Sequence, residues 1–225
     1  MNGSGTGKRT AWHYVGCGCV ALAVMGALAA GGVGWFLYTK ARQVKADITD
    51  PEARAAKVRS ILSYDTLPEG YYPALGVSIP WFVEMAILTD HELPAGEHAK
   101  EMHDRDFMGR RGFLYFETRS LRGDHGNAEG YGRTDFDFDS EKELGRGELE
   151  AGGAKVSWTA RRGELRRRGE ELPTVAADLE IHCPSDTHQR RAVWFTPAPE
   201  GDDYAGTPAS PEALVDFLNH FRFCR

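Results

Sequence analysis

Apolar and polar positions divide this chain into stretches of different period. Residues 15–38 form a 24-residue run without a single charge, rich in Gly and Ala. As a helix rising 1.5 Å per residue, such a run extends roughly 36 Å, against about 30 Å for the hydrocarbon core of a bilayer. The pattern predicts a transmembrane helix over 15–38. A short basic tail (1–14) with Lys8 and Arg9 precedes it, and Lys40, Arg42 and Lys45 follow it. Trp35 and Tyr38 suit the interfacial belt at the distal end.

The next stretch, 39–66, combines a charged stem with a juxtamembrane helix. Asp50-Pro51-Glu52 reads as a helix start: a capping side chain, Pro at the first helical position, then an acid near the positive dipole end. Val58, Ile61 and Leu62 supply an apolar stripe, and Leu67-Pro68-Glu69-Gly70 ends the element, so a helix is expected over 51–63.

From Tyr71 the period falls to two. Segments 74–79 and 81–88 read as strands interrupted by Pro80. Segment 111–119 reads as a strand with Phe113 and Tyr115, and Glu117 beyond them, on one face. Segments 145–150, 154–160 and 164–168 suggest a meander with turns at Gly152-Gly153 and Arg162-Gly163. Strands follow over 175–183 and 191–196, with polar loops at 123–132 and 197–208. Ser210-Pro211-Glu212 then opens an amphipathic helix whose Leu214, Phe217, Leu218 and Phe221 share one face. The expected fold is α+β. An N-terminal transmembrane helix leads to a single domain (67–225), an antiparallel β-sheet covered on one side by the C-terminal helix.

Charge sharpens this division. All 33 acidic residues but only 25 of the 27 Lys/Arg follow Tyr38, leaving a formal charge of −8 on the distal part. Phosphate neutralisation requires a basic face, so no nucleic-acid partner is expected. Around the apolar run, two basic residues precede it, while Lys40, Arg42, Lys45, Arg54 and Lys57 follow it. By the positive-inside count this favours a domain on the cytoplasmic side. Large domains translocate largely regardless of charge, however, and the expected localisation is a single-pass membrane protein with its distal domain extracytoplasmic. Ala27-Leu28-Ala29 also fits a signal-cleavage pattern, but apolarity continues through Val33, Trp35, Phe36 and Leu37. Gly26, Ala30 and Gly34 repeat every fourth residue and offer a smooth ridge for self-association.

Cys17 and Cys19 lie within the apolar run. Cys183 and Cys224 are the only two in the distal domain. They would pair in an oxidising compartment and stay thiols in a reducing one. Without a C-x-x-C, neither a thioredoxin-type redox site nor a four-thiolate zinc site can be built.

Most motifs of catalysis fail on inspection. Gly3-Ser4-Gly5-Thr6-Gly7-Lys8 lacks the first Gly, the Ser/Thr after Lys and a preceding strand needed for a phosphate loop. Asp135-Phe136-Asp137-Phe138-Asp139-Ser140-Glu141 spaces its acids like a calcium loop. Ser140 holds the obligatory Gly position and Arg146 the bidentate Glu position, so a strand with Phe136 and Phe138 inward is expected instead. In His91-Glu92, Ala95 stands where a zinc protease needs its second His. His98 and His103 are about 140° apart on a helix and cannot share an ion from one face. Gly76-Val77-Ser78-Ile79-Pro80 ends in Pro where a nucleophile elbow needs Gly.

Arg161, Arg162, Arg166, Arg167 and Arg168 form the one basic concentration, a candidate contact for anionic lipid headgroups. Tyr71-Tyr72-Pro73 and Trp81-Phe82 form an aromatic neighbourhood suited to core packing or, where exposed, to a partner surface. No residue is assigned a catalytic, cofactor-binding or metal-binding role, and no cofactor is expected. The expected function is a membrane-tethered, non-enzymatic binding or scaffolding domain. The alternative is an anchored hydrolase or metal-dependent enzyme assembled by folding from His91, His98, His103, Asp135, Asp137 and Asp139.

Overall fold

The computed structural model describes residues 49–79, 82–96, 109–119, 138–167, 170–184 and 188–224. These build one seven-stranded antiparallel sheet with two short helices, an α+β arrangement dominated by the sheet. In chain order the elements are α1 (Pro51–Leu62), β1 (Tyr72–Ile79), β2 (Val83–Thr89), β3 (Gly112–Arg119), β4 (Phe138–Ala151), β5 (Ala154–Arg167), β6 (Glu170–His182), β7 (His188–Pro197) and α2 (Pro211–Leu218). The strands lie in the order β1-β2-β3-β7-β6-β5-β4. Each run of consecutive strands is a meander, and the two runs join through β3 and β7.

Local chemistry sets the helix limits. The Asp50 carboxylate accepts the Glu52 N–H at 3.0 Å, and Pro51 takes the first helical position. Ser63 ends α1 in the left-handed region at φ 49°, its N–H donating to the Arg59 carbonyl. At α2 the Ser210 hydroxyl accepts the Ala213 N–H at 3.3 Å. Both helices start where capping chemistry places them.

One face of the sheet is covered. Val58, Ile61 and Leu62 of α1, Leu214, Phe217 and Leu218 of α2, and Phe221 and Phe223 beyond it pack with Leu88, Phe113, Tyr115, Val156, Leu179 and Trp194 in the main core. Phe217 stacks on Trp194 with centroids 4.2 Å apart and meets Phe113 and Tyr71 edge-on. The Trp194 indole N–H donates to the buried Tyr71 hydroxyl at 2.7 Å. A smaller cluster (Leu114, Leu165, Ala176, Val193 and Phe195) lies on the opposite face.

Two glycines explain the long β4–β5 ribbon. Gly152 and Gly153, at φ 58° and 75°, make the two-residue turn between its strands. Positive φ at both positions matches the twist of a hairpin. At Gly163, by contrast, the sequence-based expectation of a turn is corrected: β5 runs straight through Arg162 and Gly163. A Cβ there would lie 2.1 Å from the Asp139 carbonyl oxygen, so the glycine admits the close approach of β4. Phe138 to Glu141 of the acid/Phe segment and segment 145–150 likewise form one strand, interrupted by irregularities between Ser140 and Lys142 and between Glu143 and Gly145.

Cys183 and Cys224 form a disulfide with Cα atoms 5.5 Å apart, tying the segment after α2 to the end of β6. Among the described residues no helix is long and apolar enough to cross a membrane. The apolar run 15–38, its Gly26, Ala30 and Gly34 ridge, the phosphate-loop look-alike, His98, His103, Asp135 and Asp137 lie outside the described residues.

Candidate functional site

The densest interior polar chemistry occupies the end of the covered face where β3 finishes and β7 begins. Register places Ser78, Glu84, Glu117 and Arg190 in one row across β1, β2, β3 and β7. Alternation along β3 turns Phe113, Tyr115 and Glu117 to the same side, so two aromatic residues enter the core and the third position carries an acid into its margin. His188 and Arg190, two residues apart on β7, reach that acid from the neighbouring strand.

Glu117 is held from three directions. His188 Nδ1 lies 2.6 Å from its Oε1, Arg190 Nη2 donates to the same oxygen at 3.3 Å, and the Tyr115 hydroxyl donates to Oε2 at 2.8 Å. The Arg190 side chain is only 3% exposed and that of Glu117 13%. A guanidinium this deep in protein requires a charged partner, which Glu117 provides. When Nδ1 carries the imidazole proton, the carboxylate fixes the tautomer and Nε2 becomes the ring's acceptor. This base-and-orienter geometry also serves proton transfer. Beside it the Ser78 hydroxyl donates to Glu84 Oε1 at 3.1 Å across the β1–β2 hairpin.

A second polar knot closes the opposite end of the sheet. Asp90 accepts the N–H groups of Arg110 and Arg111 at 3.0 and 3.1 Å, and His91 Nδ1 lies 3.1 Å from its other oxygen. Burial works to raise the Asp90 pKa. The hydrogen bonds from His91 and the Arg111 and Arg110 N–H groups outweigh it, so the carboxyl sits below its ordinary value. A Cβ on Gly109 would overlap this carboxylate. The knot ties the end of β2 to the start of β3 and reads as structural.

Of the sequence-expected residues, the two among the described ones, His91 and Asp139, are not brought together here. His91 belongs to the Asp90 knot, whereas Asp139 lies on β4 at the far edge of the sheet. Among the described residues no three His, Cys, Asp or Glu side chains are placed to hold a metal ion. Ser78 sits within an antiparallel hairpin, away from any strand-to-helix turn.

The basic concentration is divided too. Arg161 and Arg162 are mid-strand and point to opposite faces, instead of ending a hairpin. Arg161 pairs with Asp178 at 2.6 Å, Arg162 donates to the Tyr204 hydroxyl at 3.3 Å, and Arg166 lies 3.5 Å from Glu171. The Arg167 side chain and Arg168 fall outside the described residues. Sequence reading placed Glu117 on one face with Phe113 and Tyr115 but missed His188 and Arg190, because β7 begins at His188, three residues before the expected strand.

No protein-family model matches this chain, and comparison with curated proteins returns no relative.

Proposed function

We propose that this protein is a single-pass membrane protein whose distal domain works extracytoplasmically by binding or scaffolding, without catalysis. The observation that carries the reading is the uncharged 24-residue run ahead of a domain with its own core. The Cys183–Cys224 disulfide supports an oxidising compartment. Self-association through Gly26, Ala30 and Gly34 suits such a tether. Anionic lipid contact through Arg161, Arg162, Arg166, Arg167 and Arg168 would compete with Asp178, Tyr204 and Glu171 for three of the five.

Alkaline carbonate extraction with protease protection on intact cells tests the proposal. Retention of full-length protein in the membrane, with the distal domain cut from outside, is expected; recovery in the aqueous supernatant overturns it. A second reading, an anchored hydrolase, is favoured by the His188–Glu117 pair in place of the His/Asp set expected from sequence. Its support would be a His188→Gln variant that folds normally and loses a hydrolytic activity of the native protein.

A further inference from the structure

The two edges of the sheet differ in chemistry. Edge strand β4 carries Asp139, Glu141, Lys142, Glu143, Arg146, Glu148 and Glu150 and two irregularities, the features that keep an exposed edge from pairing. At the other edge, β1 and its turn into β2 belong to an uncharged run of thirteen residues, 71–83, in a chain whose charged fraction is 27%. The Phe82 N–H donates to the Ile79 carbonyl at 3.1 Å, closing the turn, and Ile79 and Phe82 stand 45% and 60% exposed. Among the described residues the only other large apolar side chain so exposed is Tyr72, at the start of β1.

We infer that this hairpin tip, Ile79 with Phe82, enters the interfacial zone of a lipid bilayer. The inference rests on the tethered reading above and adds a second membrane contact to it. Composition favours lipid over a protein partner: the exposed side chains belong to an uncharged run, whereas a protein-docking site groups apolar anchors within a polar rim. A branched aliphatic and an aromatic side chain without charge are what the headgroup and acyl boundary accepts. Reach favours it as well. Only twelve residues, 39–50, lie between the apolar run and α1, at most about 43 Å when fully extended. The first carboxylate beyond the tip, Glu84, is bonded to Ser78 and sets the depth limit, because it stays in the headgroup layer while Ile79 and Phe82 pass it.

The test uses the full chain with Cys17→Ala and Cys19→Ala, the disulfide intact, and a nitroxide on Phe82→Cys, reconstituted in phosphatidylcholine vesicles. Ile79→Cys serves as a second probe. Gly201→Cys, in an exposed loop with open space around it, is the aqueous control. Unchanged circular-dichroism melts establish folding. At positions 82 and 79, access by oxygen is expected to exceed access by a water-soluble nickel chelate, with the reverse at 201. Nickel access at 82 and 79 equal to that at 201 overturns the inference. So does shielding from both reagents, which would mean a protein surface or a second copy covers the tip. Carbonate-resistant flotation of the same vesicles reports the tether separately. Flotation with a water-exposed tip overturns this inference alone, and loss of flotation overturns the tether and the inference with it.

Discussion

Glu117 of β3 and His188 of β7 are joined at 2.6 Å inside the margin of the core, and the same carboxylate oxygen holds Arg190. Removing the acid takes a charged partner from a guanidinium that is 3% exposed. Glu117→Ala is expected to cost about 3 kcal/mol or more, the usual consequence of breaking a buried pair from one side. Glu117→Gln keeps an acceptor and should cost about 1–2 kcal/mol less. Glu84→Gln, in the same row but bonded to a serine, should cost under about 1 kcal/mol. Urea unfolding of the three variants checks the order. An Ala variant no worse than the Glu84 variant would refute the assigned role.

Tyr71 accepts the Trp194 indole hydrogen bond inside the core, and Tyr71→Phe leaves that buried donor unmatched. A loss of about 1–3 kcal/mol is expected. A pH signature accompanies it. Burial raises the Tyr71 pKa above its ordinary 10.0, only partly opposed by the Trp194 hydrogen bond and the Arg111 charge. The folded state thus holds this proton more tightly than the unfolded chain. Its contribution is complete below the unfolded pKa and disappears as pH rises through the folded one. Melting curves between pH 9 and 11 should fall more steeply for the native protein than for Tyr71→Phe. Identical slopes would contradict the account.

The Cys183–Cys224 bridge closes a loop across a sequence separation of 41. Loop closure of that size stabilises by about 2–4 kcal/mol, chiefly through the unfolded chain. Reduction, Cys183→Ser, and the double serine variant should lower stability by similar amounts. Chemical unfolding with and without reductant measures this, and insensitivity of the native protein to reductant would show that the bridge contributes nothing.

Gly163 admits the close approach of β4, so Gly163→Ala forces that backbone away. Overpacking of this kind costs about 1–3 kcal/mol. Hydrogen exchange should rise selectively near Asp139 and Ser140. Gly201→Ala, with open space around it, should be neutral. Equal exchange in both variants would return Gly163 to the status of an ordinary strand residue.

What the sequence made legible follows the range of each signal. Asp50-Pro51 and Ser210-Pro211 announce their helices because a cap is a contact across two or three residues. The first helix was expected over 51–63 and observed as Pro51–Leu62. Gly152-Gly153 was readable for the same reason. Gly163 was misread because a glycine placed for steric room has the same letter as one placed for a bend, and the strand requiring that room lies more than twenty residues upstream. The site was legible in part. An acid sharing one strand face with Phe113 and Tyr115 was visible, but its partners on β7 lie 71 and 73 residues away and leave no periodic trace. The pairing of β3 with β7 was equally hidden, since no local pattern distinguishes it from pairing with β4.

One feature of the covered face bears on how the domain comes to be folded. Tyr64 bridges Phe221, and the Arg222 N–H reaches the Leu62 and Ser63 carbonyls while its side chain meets Asp65, 157 positions away. The earliest and latest segments of the domain are thus sewn together, and Phe221 and Phe223 complete a core that α1 begins. Closing so distant a seam is slow, because chain entropy must be surrendered before any contact repays it. A nascent copy does not complete its interior before Phe223 has arrived, so the domain stays an open chain until its last turn has been synthesised.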